Sequence, residues 1–175
     1  MAGRVRLAPI GPEHVHPLAQ LRLKNHTDLR RVMPMRASDP MTLARAIAEA
    51  QSRALADPQD RARRYTILLD ERPVGDLTFS GIVREPMQTA DVGLFVDRDV
   101  RGQGVGTAAV ALACELAFGE LALHRLEAGI QPTNHASLAA FRRNEFTEIG
   151  LAAGYIFIDG AWRDHLLLQK LAPGQ

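Results

Sequence analysis

The chain has 175 residues, of which 46% are hydrophobic and 23% charged, and its net charge at pH 7 is +1. This length and composition suit one folded domain, and the balanced charge argues against direct binding of nucleic acid. The single cysteine, Cys114, excludes an intramolecular disulfide and a cysteine-rich metal site. Because no apolar stretch could cross a bilayer and residues 1–10 lack the apolar core of a signal peptide, we expect a cytoplasmic protein without a membrane partner.

Hydrophobic periodicity, together with proline and glycine positions, predicts four helices and seven strands. The helices are expected to start at Pro12, to run from 38–40 to 57–58, and to cover 107–118 and 134–144. The strands are expected at 4–8, 65–69, 74–79, 90–96, 124–130, 155–158 and 162–168. Asp159-Gly160 between the last two strands is a strong hairpin signal.

The predicted order of elements is β-α-α-β-β-β-α-β-α-β-β. Neighbouring strands without an intervening helix favour antiparallel hairpins, and the strand–helix–strand unit over 90–130 favours a parallel crossover. We therefore expect a single α/β (α+β) domain over residues 1–175, with a mixed, mostly antiparallel twisted sheet of about seven strands flanked by about four helices.

The sequence RGQGVG at 101–106, called here the glycine loop, lies between a predicted strand and a predicted helix. Three glycines in five positions lose side-chain packing and cost backbone entropy, so they indicate close approach of backbone N–H groups to an anion. A nucleotide-hydrolysing P-loop would need a lysine before Thr107, and the dinucleotide-binding fingerprint needs G-x-G-x-x-G instead of G-x-G-x-G. The third pattern, Arg/Gln-x-x-Gly-x-Gly/Ala, is met by Arg101, Gly104 and Gly106.

That third pattern is the acyl-CoA pyrophosphate loop of the GNAT acetyltransferases, which the chain resembles. The segments LALHRLEAGIQPTNHAS (121–137), FRRNEFTEIG (141–150) and DGAWRDHLL (159–167) are similar to the RimJ/RimL branch of that superfamily, in the right order and spacing. This branch acetylates protein N-terminal amines, notably on ribosomal proteins. The resemblance implies the GNAT fold, an acetyl-CoA cosubstrate, an acceptor groove built from the first two helices and the last hairpin, and a possible homodimer.

The resemblance also implies which residues hold acetyl-CoA. Backbone amides of the glycine loop and the first helical turn would bind the pyrophosphate, and Arg101 could add charge-assisted bonds. The strand before the loop would splay from its parallel neighbour and offer backbone groups to the pantetheine arm. The expected cofactor-binding residues are Leu94, Phe95, Val96, Arg101, Gly102, Gln103, Gly104, Val105, Gly106, Thr107, Asn134, Ser137 and Arg143.

Catalysis requires a donor for the oxyanion, a proton for the thiolate and a neutral amine. A backbone N–H near 95–96 is our hypothesis for the oxyanion. The position where many family members carry a tyrosine is Phe141, which has no proton to give. RimL-like members instead place a serine three residues after the asparagine, and this resemblance implies that Ser137 hydrogen bonds the thiolate. An alternative role for Asn134 and Ser137 is only to shape the helix start. Asp91 is the candidate base, with a solvated strand-end carboxylate as the alternative.

The acceptor remains open at this stage. A site without a strong base favours an α-amine, whose pKa is about 7.7–8.0, over a lysine side chain near about 10.4. A protein N terminus is therefore the first candidate acceptor. A small amine such as a polyamine, an aminoglycoside or an amino acid is the second candidate. A non-catalytic CoA-binding module is a third reading, which Phe141 supports and Ser137 opposes. No metal site is expected.

Overall fold

The computed structural model describes residues 4–34, 42–55 and 57–174. Within these residues, five helices flank one seven-stranded sheet. The helices are α1 (Pro12–Lys24), α2 (His26–Val32), α3 (Leu43–Ala54), α4 (Val105–Glu115) and α5 (His135–Arg143). The strands are β1 (Val5–Pro9), β2 (Arg63–Leu69), β3 (Arg72–Val83), β4 (Thr89–Val96), β5 (Arg125–Ile130), β6 (Thr147–Ile158) and β7 (Ala161–Leu171).

The strand order across the sheet is β1-β2-β3-β4-β5-β7-β6. Every neighbouring pair is antiparallel except β4 and β5, which run parallel and are joined through α4. The predicted mixed sheet, with its hairpins and its crossover over 90–130, is confirmed.

The two faces of the sheet carry different helices. Alternation along β4 sends Ala90 and Val92 into the main core, where they pack with the alanine-rich helix α4. Phe95 is buried on the opposite face, where the guanidinium carbon of Arg22 from α1 lies 5.9 Å from the ring centroid. A second, smaller apolar cluster joins α1 to α3 on that face through Val15 and alanines. The sheet therefore separates an α4–α5 face from an α1–α3 face.

The parallel strands β4 and β5 stay together over only three residues each. Thr89, Ala90 and Asp91 pair with Arg125, Leu126 and Glu127, whereas β5 continues its pairing with β7 as far as Ile130. The two strands thus diverge after Asp91 and leave an opening beside the second half of β4. A splay of this kind was implied only by the family resemblance, and the sheet contains it.

Several predicted boundaries were wrong. The strand predicted at 155–158 is the last third of β6, which starts at Thr147; nearly all of its side chains are exposed, so they show no apolar alternation. The structure has one helix more than predicted. This helix, α2, was missed because Leu29 is its only buried residue. Helix α4 begins at Val105 instead of 107, and after Glu115 it continues as a π-helical turn. The predicted helix start at 38–40 lies outside the described residues, and Thr42 caps α3.

Candidate active site

The glycine loop adopts a backbone that only glycine supports easily. Gly102 and Gly104 have φ angles of 76° and 81°, and Gly104 is the residue that precedes the first turn of α4. A Cβ built on either glycine would meet no heavy atom within 4 Å. The two glycines are therefore required by backbone conformation, and the outer surface of the loop stays open to a ligand.

The loop and the start of α4 carry a row of backbone donors. Among the described residues, no acceptor is found for the backbone N–H groups from Gly102 to Thr107, whereas the next amide, that of Ala108, donates to Gly104 O at 3.0 Å. Unsatisfied amides are normal at a helix start, and the helix dipole adds positive potential there. Together with the open glycine surface, these donors form an anion-binding arrangement.

The opening between β4 and β5 exposes one edge of β4. The N–H of Asp97 donates to Val74 O at 2.7 Å, and a Cβ built on Gly75 would lie 2.0 Å from the carbonyl oxygen of Phe95. The peptide groups of residues 95 and 97 therefore face β3. Because peptide direction alternates along a strand, those of Leu94 and Val96 face the opening.

The direction of these peptide groups shows which backbone N–H groups near 95–96 could act as the oxyanion donor. The peptide carbonyl of Phe95 faces β3, so the amides of Leu94 and Val96 are the ones directed into the opening. The ring of Phe95 is buried on the α1–α3 face. Phe95 therefore packs β4 against the α1–α3 face, and the accessible N–H donors belong to its neighbours Leu94 and Val96.

Arg101 is held beside the opening by two contacts. Its Nη1 donates to Asp28 Oδ2 of α2 at 2.8 Å, and its Nε donates to Val96 O at 3.2 Å. The side chain is about half exposed, with 45% of its surface accessible. Arg101 thus links the end of β4 to α2 and keeps a partly exposed guanidinium beside the opening.

The remaining loop residues have distinct local roles. The Gln103 side chain donates to Asp99 O at 3.2 Å, which braces the loop from within. Val105 is 2% exposed and anchors the start of α4 in the core. The carbonyl oxygen of Thr107 accepts from Asn144 Nδ2 at 3.0 Å, so the start of α4 is tied to the end of α5. Arg143 is exposed on α5.

Asn134 caps α5 as the alternative interpretation predicted. Its side-chain oxygen accepts from the backbone N–H of Ser137 at 3.3 Å. The Ser137 hydroxyl donates to no described residue, so it is available to a ligand. Phe141 is 1% exposed and packs edge-to-face on Phe146, with ring centroids 4.9 Å apart. Phe141 is therefore a core residue.

Polar side chains of β3 and β4 face one another on the α1–α3 side of the sheet. Ser80 lies opposite Asp91, and Thr78 lies opposite Gly93. Asp91 is exposed at its outer side, but partial loss of solvent, and next the neighbouring carboxylate of Glu127 on β5, raise its pKa above the usual range. Asp91 thus lies just before the two strands diverge, on the face opposite α4.

Three residues of this row, Thr78, Ser80 and Gly93, lie in the floor of a cavity of about 210 Å³. Its walls come from the end of α2, from α3 and from the middle of β3 and β4. The described lining residues are Met33, Arg53, Asp76, Thr78, Ser80, Gly93 and Leu94. The cavity therefore reaches β4 at Gly93 and Leu94, where the strand leaves β5.

Sequence reasoning missed the charged residues of this cavity. Asp76 is 2% exposed and receives three hydrogen bonds of 2.7–3.1 Å from Arg22 of α1 and one of 2.7 Å from Arg53 of α3. The available signal was a charged residue inside the apolar strand VGDLTF, where alternation places Asp76 on the face opposite the core residues Leu77 and Phe79. A buried carboxylate requires cationic partners from elsewhere in the chain.

Helix α2, which the sequence did not predict, contacts the last hairpin. Arg30 pairs with Asp159 in the β6–β7 turn at 2.8 Å, and Gln131 donates to Arg31 O at 2.9 Å. Near the far side of the opening, the buried His165 lies beside Tyr155, with ring centroids 5.6 Å apart. The α1–α2 segment and the hairpin thus flank the open end of the sheet.

Two further findings concern the described residues only. None of their helices is long and apolar enough to span a bilayer. They contain no group of three histidine, cysteine, aspartate or glutamate side chains placed to hold a metal ion.

The fold and the site define an enzyme class: an acyltransferase with an anion-binding loop beside a split pair of parallel strands. The sequence model of the acetyltransferase (GNAT) domain matches residues 4–147. The chain is 34% identical to the probable N-acetyltransferase YjcK of Bacillus subtilis over 156 residues, which cover 87% of this chain and 86% of that protein.

A solved structure of Mycobacterium smegmatis RimJ in complex with CoA-disulfide superposes with a TM-score of 0.90 at 30% identity, covering 99% of this chain and 86% of that one. The [ribosomal protein uS5]-alanine N-acetyltransferase of Escherichia coli is 30% identical over 105 residues, 59% of this chain and 54% of that protein. The chain belongs to the GNAT acetyltransferase family and is an acetyl-CoA-dependent N-acetyltransferase.

Proposed function

We propose that this enzyme acetylates the α-amine of a protein N terminus. The observation that carries the proposal is the position of the cavity of about 210 Å³, which reaches Gly93 and Leu94 next to the peptide edge that faces the opening. A thioester held along that edge would meet an amine entering from the α1–α3 face. Similarity to RimJ and to a uS5-alanine N-acetyltransferase supports an N-terminal amine as the acceptor.

Acetyl-CoA supplies an acetyl thioester, and the overall reaction exchanges its C–S bond for a C–N bond to the acceptor. The amine loses one proton, and the departing thiolate gains one. The chain must therefore bind an extended phosphate-bearing cosubstrate, orient the amine, and manage two protons at separate places.

The residues fit the binding of that cosubstrate. The amides from Gly102 to Thr107 would donate to the pyrophosphate, with Arg101 adding a charge-assisted hydrogen bond. The peptide edge at Leu94 and Val96 would pair with the amides of the pantetheine arm in the manner of an added strand. Among the expected binding residues, Phe95 and Val105 act through the backbone position that their burial fixes.

Ser137 and Asp91 are the proposed catalytic residues. The Ser137 hydroxyl, in the first turn of α5, donates a hydrogen bond that stabilises the departing thiolate, and the thiolate then takes its proton from solvent. Asp91 lies on the acceptor side of β4, takes the proton of the amine and returns it to solvent. Its raised pKa makes the carboxylate a better proton acceptor than an ordinary aspartate.

An aspartate such as Asp91 is a weak base, which is consistent with an α-amine as the acceptor. At neutral pH about a tenth of α-amines are already uncharged, whereas well under a thousandth of lysine side chains are. Of these two acceptors, the α-amine thus needs less help from Asp91.

A small amine is the second candidate acceptor. The described walls enclose about 210 Å³, below the roughly 300–1,000 Å³ of sites that hold drug-sized ligands, so an amino-acid-sized molecule would also fit. A cytoplasmic location and homodimerisation stay predictions of the sequence and its resemblance.

The proposal is tested by a thiol-release assay with acetyl-CoA and three acceptor sets: peptides with free N termini, peptides with blocked N termini that contain lysine, and small amines. Turnover only with free N termini supports the proposal, and preference for small amines contradicts it. Melting with acetyl-CoA at a hundred times Kd should show a gain of about 2.7 kcal/mol, or roughly 5–10 °C. Stabilisation without turnover on any acceptor would indicate a non-catalytic CoA-binding module instead.

A further inference from the structure

Arg53, in the last turn of α3, extends its side chain onto the sheet and lines the cavity of about 210 Å³. Its Nη2 donates to Asp76 Oδ1 at 2.7 Å and to Thr78 Oγ1 at 2.8 Å. These two bonds fix the plane of the guanidinium against β3. One quarter of the side-chain surface remains accessible.

The guanidinium of Arg53 has unused donors. Its Nε is buried and has no hydrogen-bond partner among the described residues, and its Nη1 donates to none of them. A buried donor without a partner is destabilising, so a site that keeps one has a use for it or compensates elsewhere. Nη1 is the donor left for a ligand that enters the cavity.

The charges around Arg53 do not cancel. Asp76 is paired with Arg22 by three hydrogen bonds, and the side chains of that pair are only 3% and 9% exposed. Arg53 therefore shares a carboxylate that another arginine already neutralises. The cluster carries an excess positive charge, and Arg53 is its accessible member. Such a cavity disfavours a polycationic acceptor and favours one with an oxygen acceptor or a negative charge.

The guanidinium also lies at the right place along β4. Asp76 and Thr78, its two partners on β3, face Phe95 and Gly93 across the strand pair. A Cβ built on Gly93 would meet no atom within 4 Å, so the space above that residue is open. A group bound by Arg53 would therefore lie over the point where β4 leaves β5.

We propose that Arg53 recognises the acceptor by hydrogen bonding the carbonyl or carboxylate oxygen attached to the carbon that bears the amine. This proposal rests on the proposed function and names the feature that the acceptor must have: an α-amino carbonyl group. Two sources share this chemistry, the first peptide carbonyl of a protein N terminus and the carboxylate of a free amino acid. An alkyl amine or a polyamine lacks it.

The test compares Arg53→Gln with wild type in steady-state assays on four acceptors: an alanine-initiated peptide, alaninamide, free alanine and isopropylamine, which lacks the carbonyl. We expect kcat/KM to fall about 10- to 100-fold for the carbonyl-bearing acceptors, mainly through KM, and to change little for isopropylamine. KM for acetyl-CoA should stay unchanged. The ratio between peptide and free alanine identifies the source of the oxygen.

Two further variants keep the test decisive if Arg53→Gln is unstable. Arg53→Lys retains the charge and should recover part of the activity, because a single ammonium replaces the planar fork. Arg45→Gln removes an arginine of the same helix that pairs with Glu49 and should leave acceptor kinetics unchanged. An unchanged KM for the peptide in both Arg53 variants overturns the proposal even where the wild type acetylates peptides. A wild type that acetylates only isopropylamine or polyamines overturns the proposed function itself.

Discussion

The amide of Asn25 donates to Asp97 Oδ1 at 2.8 Å, and this buried contact joins the α1–α2 junction to the end of β4. The same side chain donates to Leu21 O at 2.9 Å and accepts from the backbone N–H of Arg98 at 3.0 Å. Asn25 is completely buried. One side chain thus fixes both the helix break and the segment that leads into the glycine loop.

Asn25→Ala should therefore destabilise the protein by about 1–3 kcal/mol, because it leaves a buried carboxylate, a carbonyl and an amide short of a partner. The expected fall in Tm is about 2–12 °C for a chain of this size. Thr27→Ala changes an exposed residue two positions later and serves as the control. Equal melting of Asn25→Ala and wild type would contradict this account of the junction.

Asp91→Asn should separate activity from stability. The pKa of Asp91 is raised in the folded protein by burial and by Glu127, so its ionised form costs stability at pH values above the folded pKa. Below the unfolded value of about 3.9 the residue is protonated in both states and the cost disappears. Asparagine should thus stabilise the protein at pH 7 and have little effect near pH 3, while turnover falls.

Urea unfolding at both pH values, together with the thiol-release assay at pH 7, checks this prediction. Asp70→Asn, in the exposed β2–β3 turn, is the matched control for removing one negative charge. A destabilised Asp91→Asn variant at pH 7 would mean that the carboxylate is stabilised by contacts of its own, and unaltered turnover would remove Asp91 from proton transfer.

The sequence was sufficient for those parts of the fold that depend on local patterns. Asp159-Gly160 marked the last hairpin, and the apolar run before the glycine loop marked β4. Only the end of β6 was predicted, because its first part, EIGLAAG at 148–154, is exposed and burial on neither face imposes an alternating pattern. Helix α2 was not predicted because one buried leucine gives almost no hydrophobic periodicity.

The candidate site also has parts that the sequence predicts and parts that it does not. The glycine loop is a contiguous motif. Its positive φ angles require glycine, so the motif can be recognised in the sequence. The arginine–aspartate cluster is assembled from α1, α3 and β3, over separations of 23 and 54 residues. No local sequence pattern indicates which distant arginine pairs with Asp76. The charge of the cavity can therefore be determined only from the folded structure.

Gly104→Ala should weaken acetyl-CoA binding, through backbone strain and because its methyl group would lie on the open surface of the loop. A left-handed conformation costs a non-glycine residue about 1–2 kcal/mol, and the new methyl group would touch nothing within 4 Å. Gly119→Ala is the control, since its methyl group is equally unhindered and its backbone is not left-handed. Calorimetric titration should show reduced affinity for Gly104→Ala only; equal affinities would mean that loop conformation does not govern binding.

Ser137→Ala and Asn134→Ala should affect different properties of the first turn of α5. The Ser137 hydroxyl donates to no described residue, so its removal should leave Tm and acetyl-CoA affinity nearly unchanged while kcat falls. Asn134 accepts from the backbone N–H of Ser137, so its replacement should cost about 1 kcal/mol of stability. Melting curves and initial rates for both variants separate the two roles. If Ser137→Ala keeps the wild-type kcat, Ser137 does not stabilise the thiolate and serves only the helix start.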